Sequence, residues 1–228
     1  MKSVQIAIDG PSGAGKSTMA KLLSKRLGFM YLDTGAMYRA LALKAIRMNI
    51  DTKDREKVIE LLPSLDIKIS YKDGNQVILL DGEDVSEKIR TEQVSMGASD
   101  VSAIPEVREK LVKMQQEIAS DNNVVMDGRD IGTHVLPNAQ VKIFLTASVY
   151  ERAKRRYNEL KEKGLLTKTY DELVKEIETR DYNDSHRSVS PLRRADDAVL
   201  LDTSKLSIEE TVDEIIKIIK MKGFDNVI

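Results

Sequence analysis

Hydrophobic positions along this chain change period as the sequence advances, and each change predicts an element. Residues 4–8, Val-Gln-Ile-Ala-Ile, form the short apolar run of a buried strand. Met19, Leu22, Leu23 and Leu27 then recur at helical spacing and predict a helix over Lys16–Leu27. Residues 30–33 predict a second strand ending at an acid, and residue 34 opens a helix that runs through Leu41, Ala45 and Met48. Residues 51–62 are charged and only weakly helical. At Ile67 the texture switches to alternation over 67–71, a turn at Lys72-Asp73-Gly74-Asn75, and a second apolar run over 76–80 before Asp81-Gly82. That is the signature of an antiparallel hairpin. Hairpins are foreign to a βαβ run, so residues from about 50 to 98 read as an insertion.

The α/β texture resumes at Pro105, which suits the first turn of a helix with Val107, Leu111, Met114 and Ile118 on one face. Residues 124–127 and 141–145 predict two further core strands, and 198–201 a last one. Three Ser/Thr-x-x-Glu pairs, Ser148 with Glu151, Thr169 with Glu172 and Ser207 with Glu210, predict capping boxes at helix starts. The second of these helices runs through Arg180 toward Asp184, and the third carries Ile208, Val212, Ile215, Ile216 and Ile219 on one face. The sum is an α/β fold, a parallel sheet with helices on both faces and inserted antiparallel strands.

Composition narrows the class of partner. The 228 residues suffice for one α/β domain with a sizeable core, and 41% hydrophobic with 32% charged residues is ordinary for a globular protein. A net charge of −1 gives no global attraction to nucleic acid or anionic membrane, so any basic patch is local. Cysteine is absent, which excludes disulfides and thiolate metal sites and suits a reducing cytoplasm. The two histidines, His134 and His186, are far apart in sequence and lack partners at metal-ligand spacing. No window approaches ~18 apolar residues, and Asp9 interrupts the first apolar run well short of a signal peptide. The expectation is a soluble, cytoplasmic protein.

The chemistry concentrates between the first strand and the first helix. Gly10-Pro11-Ser12-Gly13-Ala14-Gly15-Lys16-Ser17 fits G-x-x-x-x-G-K-[ST], followed by Thr18. Glycines let successive N–H groups point inward as an anion nest, and the helix start adds partial positive charge. Lys16 reaches the β- and γ-phosphates and Ser17 can ligate Mg²⁺. Phosphoryl transfer between two anions then calls for arginines, whose planar forks bind phosphate bidentately. Arg39 begins the second helix. Arg129 and Asp130 follow a core strand, on the side of the sheet where ligands bind. Arg180, Asp184 and Arg187 share a face if helix continues that far. Taken singly, Arg39 and Arg180 fit solvated surface charge better than a functional role. Asp127 fits either a water-mediated Mg²⁺ acid or a turn aspartate before glycine. The run Arg152, Arg155, Arg156 reads as a solvated face in preference to a lid. No Asn is followed by Lys, so the guanine-reading N-K-x-D of GTP-dependent switches is missing.

Taken together, the motifs 10–17, Leu-Asp-Thr-Gly-Ala-Met-Tyr-Arg at 32–39, Ser-Asp-Val-Ser-Ala-Ile-Pro-Glu-Val-Arg at 99–108, Asp-Gly-Arg-Asp-Ile-Gly-Thr at 127–133, and Arg180-Asp181 leading to Asp184 and Arg187 resemble those of bacterial cytidylate (CMP) kinases. The resemblance runs from Ile6 to the final helix. It implies a kinase core at 1–35 and 99–228, a nucleotide-monophosphate-binding insertion at approximately 36–98 and a short lid at approximately 152–168. It also implies transfer of the γ-phosphoryl group of Mg·ATP to CMP or dCMP by a monomer with no nucleic-acid or membrane partner. Residues 10–18 would bind ATP, with Lys16, Arg129, Arg180 and Arg187 as the charge-stabilising catalytic set. Thr34, Arg39, Arg129 and Arg187 match positions that grip the acceptor phosphate, Ser99, Arg108 and Asp130 those that read cytosine, and Arg180 and Asp184 those that hold the ribose. Position 34 is Thr where Ser also occurs, which keeps the hydroxyl. Asn183 stands where some members carry Arg, leaving a gap in the cationic set of the lid side.

Overall fold

The computed structural model describes residues 3–72 and 74–224, so Asp73 of the predicted hairpin turn lies outside the described residues. The chain opens with β1 (Gln5–Asp9), α1 (Lys16–Leu27), β2 (Met30–Asp33), α2 (Thr34–Arg47) and α3 (Arg55–Leu61). Strands β3 (Ile67–Lys72), β4 (Asn75–Leu80) and β5 (Glu83–Asp84) follow, then α4 (Glu92–Val101) and α5 (Pro105–Ser120). The last part holds β6 (Val124–Gly128), a π-helical turn at Ile131–Val135, β7 (Val141–Thr146), α6 (Val149–Glu162), α7 (Tyr170–His186), β8 (Val199–Asp202) and α8 (Ile208–Met221). Two compact units result, residues 1–30 with 123–228, and residues 31–122.

In the first unit a parallel sheet runs β6-β1-β7-β8. Met30, the first residue of β2, donates to Asn123 O beside the start of β6. Ile8 stands opposite Asp127 on one side and Ile143 on the other. Ile6, Ala7, Ile8, Val124, Val125 and Met126 are fully buried, which is why these strands read as unbroken apolar runs and not as alternation. With β1 between β6 and β7, the strand order reverses at its carboxyl end, the usual place for a ligand crevice.

Two of the three predicted capping boxes are complete. Thr169 with Glu172 and Ser207 with Glu210 each exchange both hydrogen bonds. Ser148 makes only half of its box: its hydroxyl accepts from Glu151 N, but its own N–H donates to Ser204 Oγ, and Glu151 turns to Arg155 instead. Helices α6 and α7 pack around Ala153, Leu173 and Ile177, with Tyr157 and Tyr170 edge to face at 6.4 Å.

The second unit has the predicted hairpin, paired from Ile67–Leu80 to Lys72–Asn75, with β5 added antiparallel to β4. It also holds α4, where no helix was expected. Several of its residues, the two Ser, Gly97 and Asp100 among them, are weak helix formers, and packing helps make the helix: Val94, Gly97, Ala98 and Val101 are buried. Thr52 ties in there by donating to Asp100 at 2.7 Å. Among the described residues no helix is long and apolar enough to cross a membrane.

Candidate active site

The loop after β1 begins with a residue that can only be glycine. At Gly10 φ is +146°, and a Cβ would lie 1.9 Å from Leu145 O. The loop ends at Gly15, left-handed at φ 88°, which caps α1 without any side-chain hydrogen bond. The positive end of α1 is therefore left to its backbone N–H groups, an arrangement suited to an anion. Lys16 is only 5% exposed, and its Nζ donates to Pro11 O at 2.7 Å. Burial, and then the nearby Arg129, push its pKa down to about 7. An ammonium in that state gains greatly from an anionic partner. Thr18 is exposed in the first turn of α1.

Ser17 Oγ donates to Asp127 Oδ2 at 2.7 Å, so the hydroxyl and the acid predicted for Mg²⁺ meet at the ends of α1 and β6. One hydroxyl beside one buried carboxylate suits a hard cation that takes its other ligands from phosphate and water. Among the described residues no three His, Asp or Glu gather into an all-protein cage.

Arg129 and Arg187 are paired and held. Arg129 Nε donates to Asp184 Oδ2 at 2.6 Å. Arg187, the C-cap of α7, lies 3.6 Å from Asp130 through Nη2 and donates to Ser190 O through Nε. Arg180, half-buried one turn before Asp184, contributes to the field at both Asp184 and Lys16. Burial alone would raise the Asp184 pKa, but Arg129, with Arg180 and Arg187, holds it below the usual carboxylate range. The helix carries Arg180 and Asp184 one turn apart but ends at His186, so Arg187 follows as its extended C-cap and not on a continuing helical face.

In the sequence Asp9 stands only as an interruption of the first apolar run. In the fold it is 4% exposed and accepts from the N–H groups of Ile131 and Gly132, each at 2.7 Å. It thereby clasps the turn that follows Arg129 and Asp130. Burial outweighs those two bonds and pushes its pKa up to about 6. The signal was present: an acid closing an apolar strand has to find donors.

In the second unit Asp33 caps α2, accepting from Ala36 N at 2.9 Å and from Arg39 Nη2 at 2.7 Å. Burial opposes ionisation there, but the Arg39 guanidinium overcomes it and keeps the acid low. Thr34 is buried as the first residue of α2. Gln76 of β4 accepts from Asp33 N at 2.8 Å, and Tyr71 of β3 donates to Tyr31 O, so the hairpin braces the start of α2. Neither Asp33 nor Gln76 was singled out from sequence. Ser99 lies half-buried on α4. Arg108, 2% exposed on α5, donates to Ser102 O at 3.2 Å and sits 5.5 Å over the Tyr38 ring.

The run Arg152, Arg155, Arg156 is not a uniform solvated face. Arg156 is exposed and pairs with Glu159, and Arg155 donates to Thr203 through Nη1 and Nη2. Arg152 is buried. Membership of a charge run says nothing about which residue of it packs inward.

A family model described as cytidylate kinase matches residues 6–221. A cytidylate kinase of Caldicellulosiruptor bescii is 58% identical over 218 residues, covering 96% of both chains. That of Bacillus subtilis is 52% identical over 223 residues, covering 97% of this chain and 99% of its own. Among solved structures, a gluconokinase from Sinorhizobium meliloti 1021 aligns with a TM-score of 0.51 at 13% identity over 96% of this chain and 92% of that one, a likeness of fold alone.

Proposed function

Because the chain belongs to the cytidylate kinase family, we infer that it is a nucleoside monophosphate kinase, transferring the γ-phosphoryl group of ATP to CMP or dCMP to give the diphosphate and ADP. The observation that carries this reading is the match over residues 6–221, because that span includes the phosphate loop and every residue assigned to the acceptor.

On this reading Gly10 to Thr18 bind the donor, with Lys16 on its terminal phosphates. Thr34, Arg39, Arg129 and Arg187 grip the acceptor phosphate, Ser99, Arg108 and Asp130 read the cytosine edge, and Arg180 and Asp184 hold the ribose. The carboxylates of Asp184 and Asp130 neutralise Arg129 and Arg187. An acceptor dianion would take over those guanidinium groups, and the two carboxylates would then be free to accept from a ribose hydroxyl and the cytosine amino group. The acceptor oxygen is already anionic near neutral pH, so no general base is needed. Orientation and fixed positive charge supply the rate. Mg²⁺ bound with the triphosphate adds charge neutralisation at the phosphates, and Ser17, with Asp127 through water, would hold it. A cysteine-free chain of net charge −1 with local arginines suits small anionic substrates in a reducing cytoplasm; the enzyme is proposed to work there as a monomer, with neither nucleic acid nor membrane as partner.

The test is an acceptor screen in a coupled ADP-release assay with Mg·ATP and CMP, dCMP, UMP, AMP, GMP or shikimate. Turnover is expected with CMP and dCMP well above the rest. A stronger response to UMP or shikimate would replace the acceptor, and slow ATP hydrolysis indifferent to all of them would replace the reaction.

A further inference from the structure

Arg152 is buried, and each of the three nitrogens of its guanidinium group has an acceptor in a different part of the first unit. Nε donates to Ala147 O at 2.9 Å, just past the end of β7. Nη1 donates to Ser12 O at 2.9 Å, inside the phosphate loop. Nη2 pairs with Asp181 Oδ2 on α7 at 2.7 Å, next in sequence to Arg180. The side chain is 6% exposed, so this charge is removed from water and held by those three oxygens. The loop also packs on it directly: a Cβ added at Gly13 would lie 3.2 Å from Arg152 Cβ.

The contact with Ser12 has a stereochemical consequence. The Ser12 carbonyl and the Gly13 N–H belong to one planar trans peptide and point to opposite sides. Holding the carbonyl on Arg152 therefore turns the Gly13 N–H away from that guanidinium group, and on the donor-loop reading this N–H is one of those that receive phosphate. Flipping that peptide would present a carbonyl oxygen to an anion.

We propose that Arg152 is a positioning residue for the donor: it fixes the Ser12–Gly13 peptide in the phosphate-receiving orientation, and Asp181 locks the guanidinium group in the pose that does so. The proposal rests on reading Gly10 to Thr18 as the donor loop. It concerns donor affinity specifically, because Arg152 is bonded to the loop and to none of the residues assigned to the acceptor.

The test uses the full chain and four variants, Arg152→Gln, Arg152→Lys, Asp181→Asn and, as an exposed arginine of the same unit outside the assigned site, Arg26→Gln. For each, binding of a non-hydrolysable ATP analogue and of CMP alone is measured by calorimetry, with KM for both substrates, kcat and a thermal melt. Arg152→Gln should weaken the analogue by about ten-fold or more, as expected for loss of a charged hydrogen bond that organises the site. It should leave CMP binding within about two-fold of wild type. Arg152→Lys, which keeps charge and stem, should recover part of the loss. Asp181→Asn keeps the two carbonyl bonds and should weaken the analogue by a smaller factor, and on the Arg152→Gln background it should add nothing. Arg26→Gln should match wild type. If Arg152→Gln does not fold, Arg152→Lys and Asp181→Asn carry the test alone. Analogue binding within two-fold of wild type in the folded Arg152 variants overturns the proposal, as does equal weakening of CMP. Lys16→Met in the same titrations separates the premise: if it too retains the analogue and turnover, the donor-loop reading fails, whereas loss there with no loss at Arg152 removes only the buttress.

Discussion

The ammonium group of Lys16 is bonded to a backbone carbonyl, not to a carboxylate, in a nearly water-free setting. Burial, then Arg129, lowers its pKa from 10.5 to about 7. The unfolded chain keeps the ordinary value, so the folded state bears the full cost of the charge below about pH 7, and that cost fades as pH rises toward 10.5. Lys16→Met should therefore raise the melting temperature of the ligand-free protein by a few degrees at about pH 6.5, with the gain shrinking by about pH 10. The same change should lower turnover by about two to three powers of ten. An unchanged melting temperature at the lower pH would contradict the electrostatic argument, and near-normal turnover would contradict the role. The arginines divide by when they act. Arg108, packed on Tyr38, is assigned to a base contact present before and during transfer, so Arg108→Met should raise KM for CMP and relax CMP over UMP discrimination with a smaller effect on kcat. Arg187 is assigned to the phosphate under attack, so Arg187→Met should lower kcat by about two to four powers of ten. Steady-state kinetics with both acceptors decides it, and the opposite pattern would exchange the two assignments.

Between elements, the contact that matters most is the clasp from the end of β1 to the turn after β6. Asp9 accepts two N–H bonds there and yet has its pKa raised to about 6, because burial outweighs them. A raised acid means that the folded protein binds more protons than the unfolded chain between about pH 4 and 6, so this group adds stability as pH falls through that window and costs it above. Asp9→Asn cannot titrate and leaves one N–H facing an amide NH₂. It should destabilise by about 1–3 kcal/mol at neutral pH, and the gap to wild type should widen on going to about pH 4.5. Paired thermal melts at the two values test it, and a gap that closes in acid would reverse the sign. Such clasps explain what was and was not legible along the chain. The central parallel strands β1 and β6 were readable because burial on both faces leaves an unbroken apolar run, and the capping boxes because each is local to four residues. Ser148 misled because Ser204, far away in sequence, takes its N–H. Helix α4 had weak propensity but a visible 94, 97, 98, 101 spacing after Thr91, whose side chain caps it. Arg152 and Arg156 look alike in sequence, and only the packing of α6 and α7 makes one a buried tie and the other a surface charge.

At the scale of the molecule, the two compact units carry different shares of the assigned chemistry. Residues 1–30 with 123–228 hold the donor loop, Asp127, Arg129, Asp130, Arg180, Asp184 and Arg187, while residues 31–122 hold Thr34, Arg39, Ser99 and Arg108. If these assignments are right, the two substrates leave different footprints in amide hydrogen exchange. A non-hydrolysable ATP analogue should slow exchange in the loop 10–17 and the start of α1, within the first unit. CMP should slow exchange at the start of α2 and in segments 99–108, and also at 128–132 and the end of α7, so that only the acceptor marks both units. Ligand held at about a hundred times its dissociation constant adds about 2.7 kcal/mol to the state that binds it, which is ample for a local protection change of about a hundred-fold in exchange rate. The Gln76 and Tyr71 contacts that brace the start of α2 give an internal check, since Gln76→Leu should weaken the CMP footprint there and leave that of the analogue in place. A CMP footprint confined to the first unit would remove Ser99 and Arg108 from the base-reading role while leaving the donor assignments standing. An analogue footprint that began in residues 31–122 would instead move the donor, and with it the division of labour between the units.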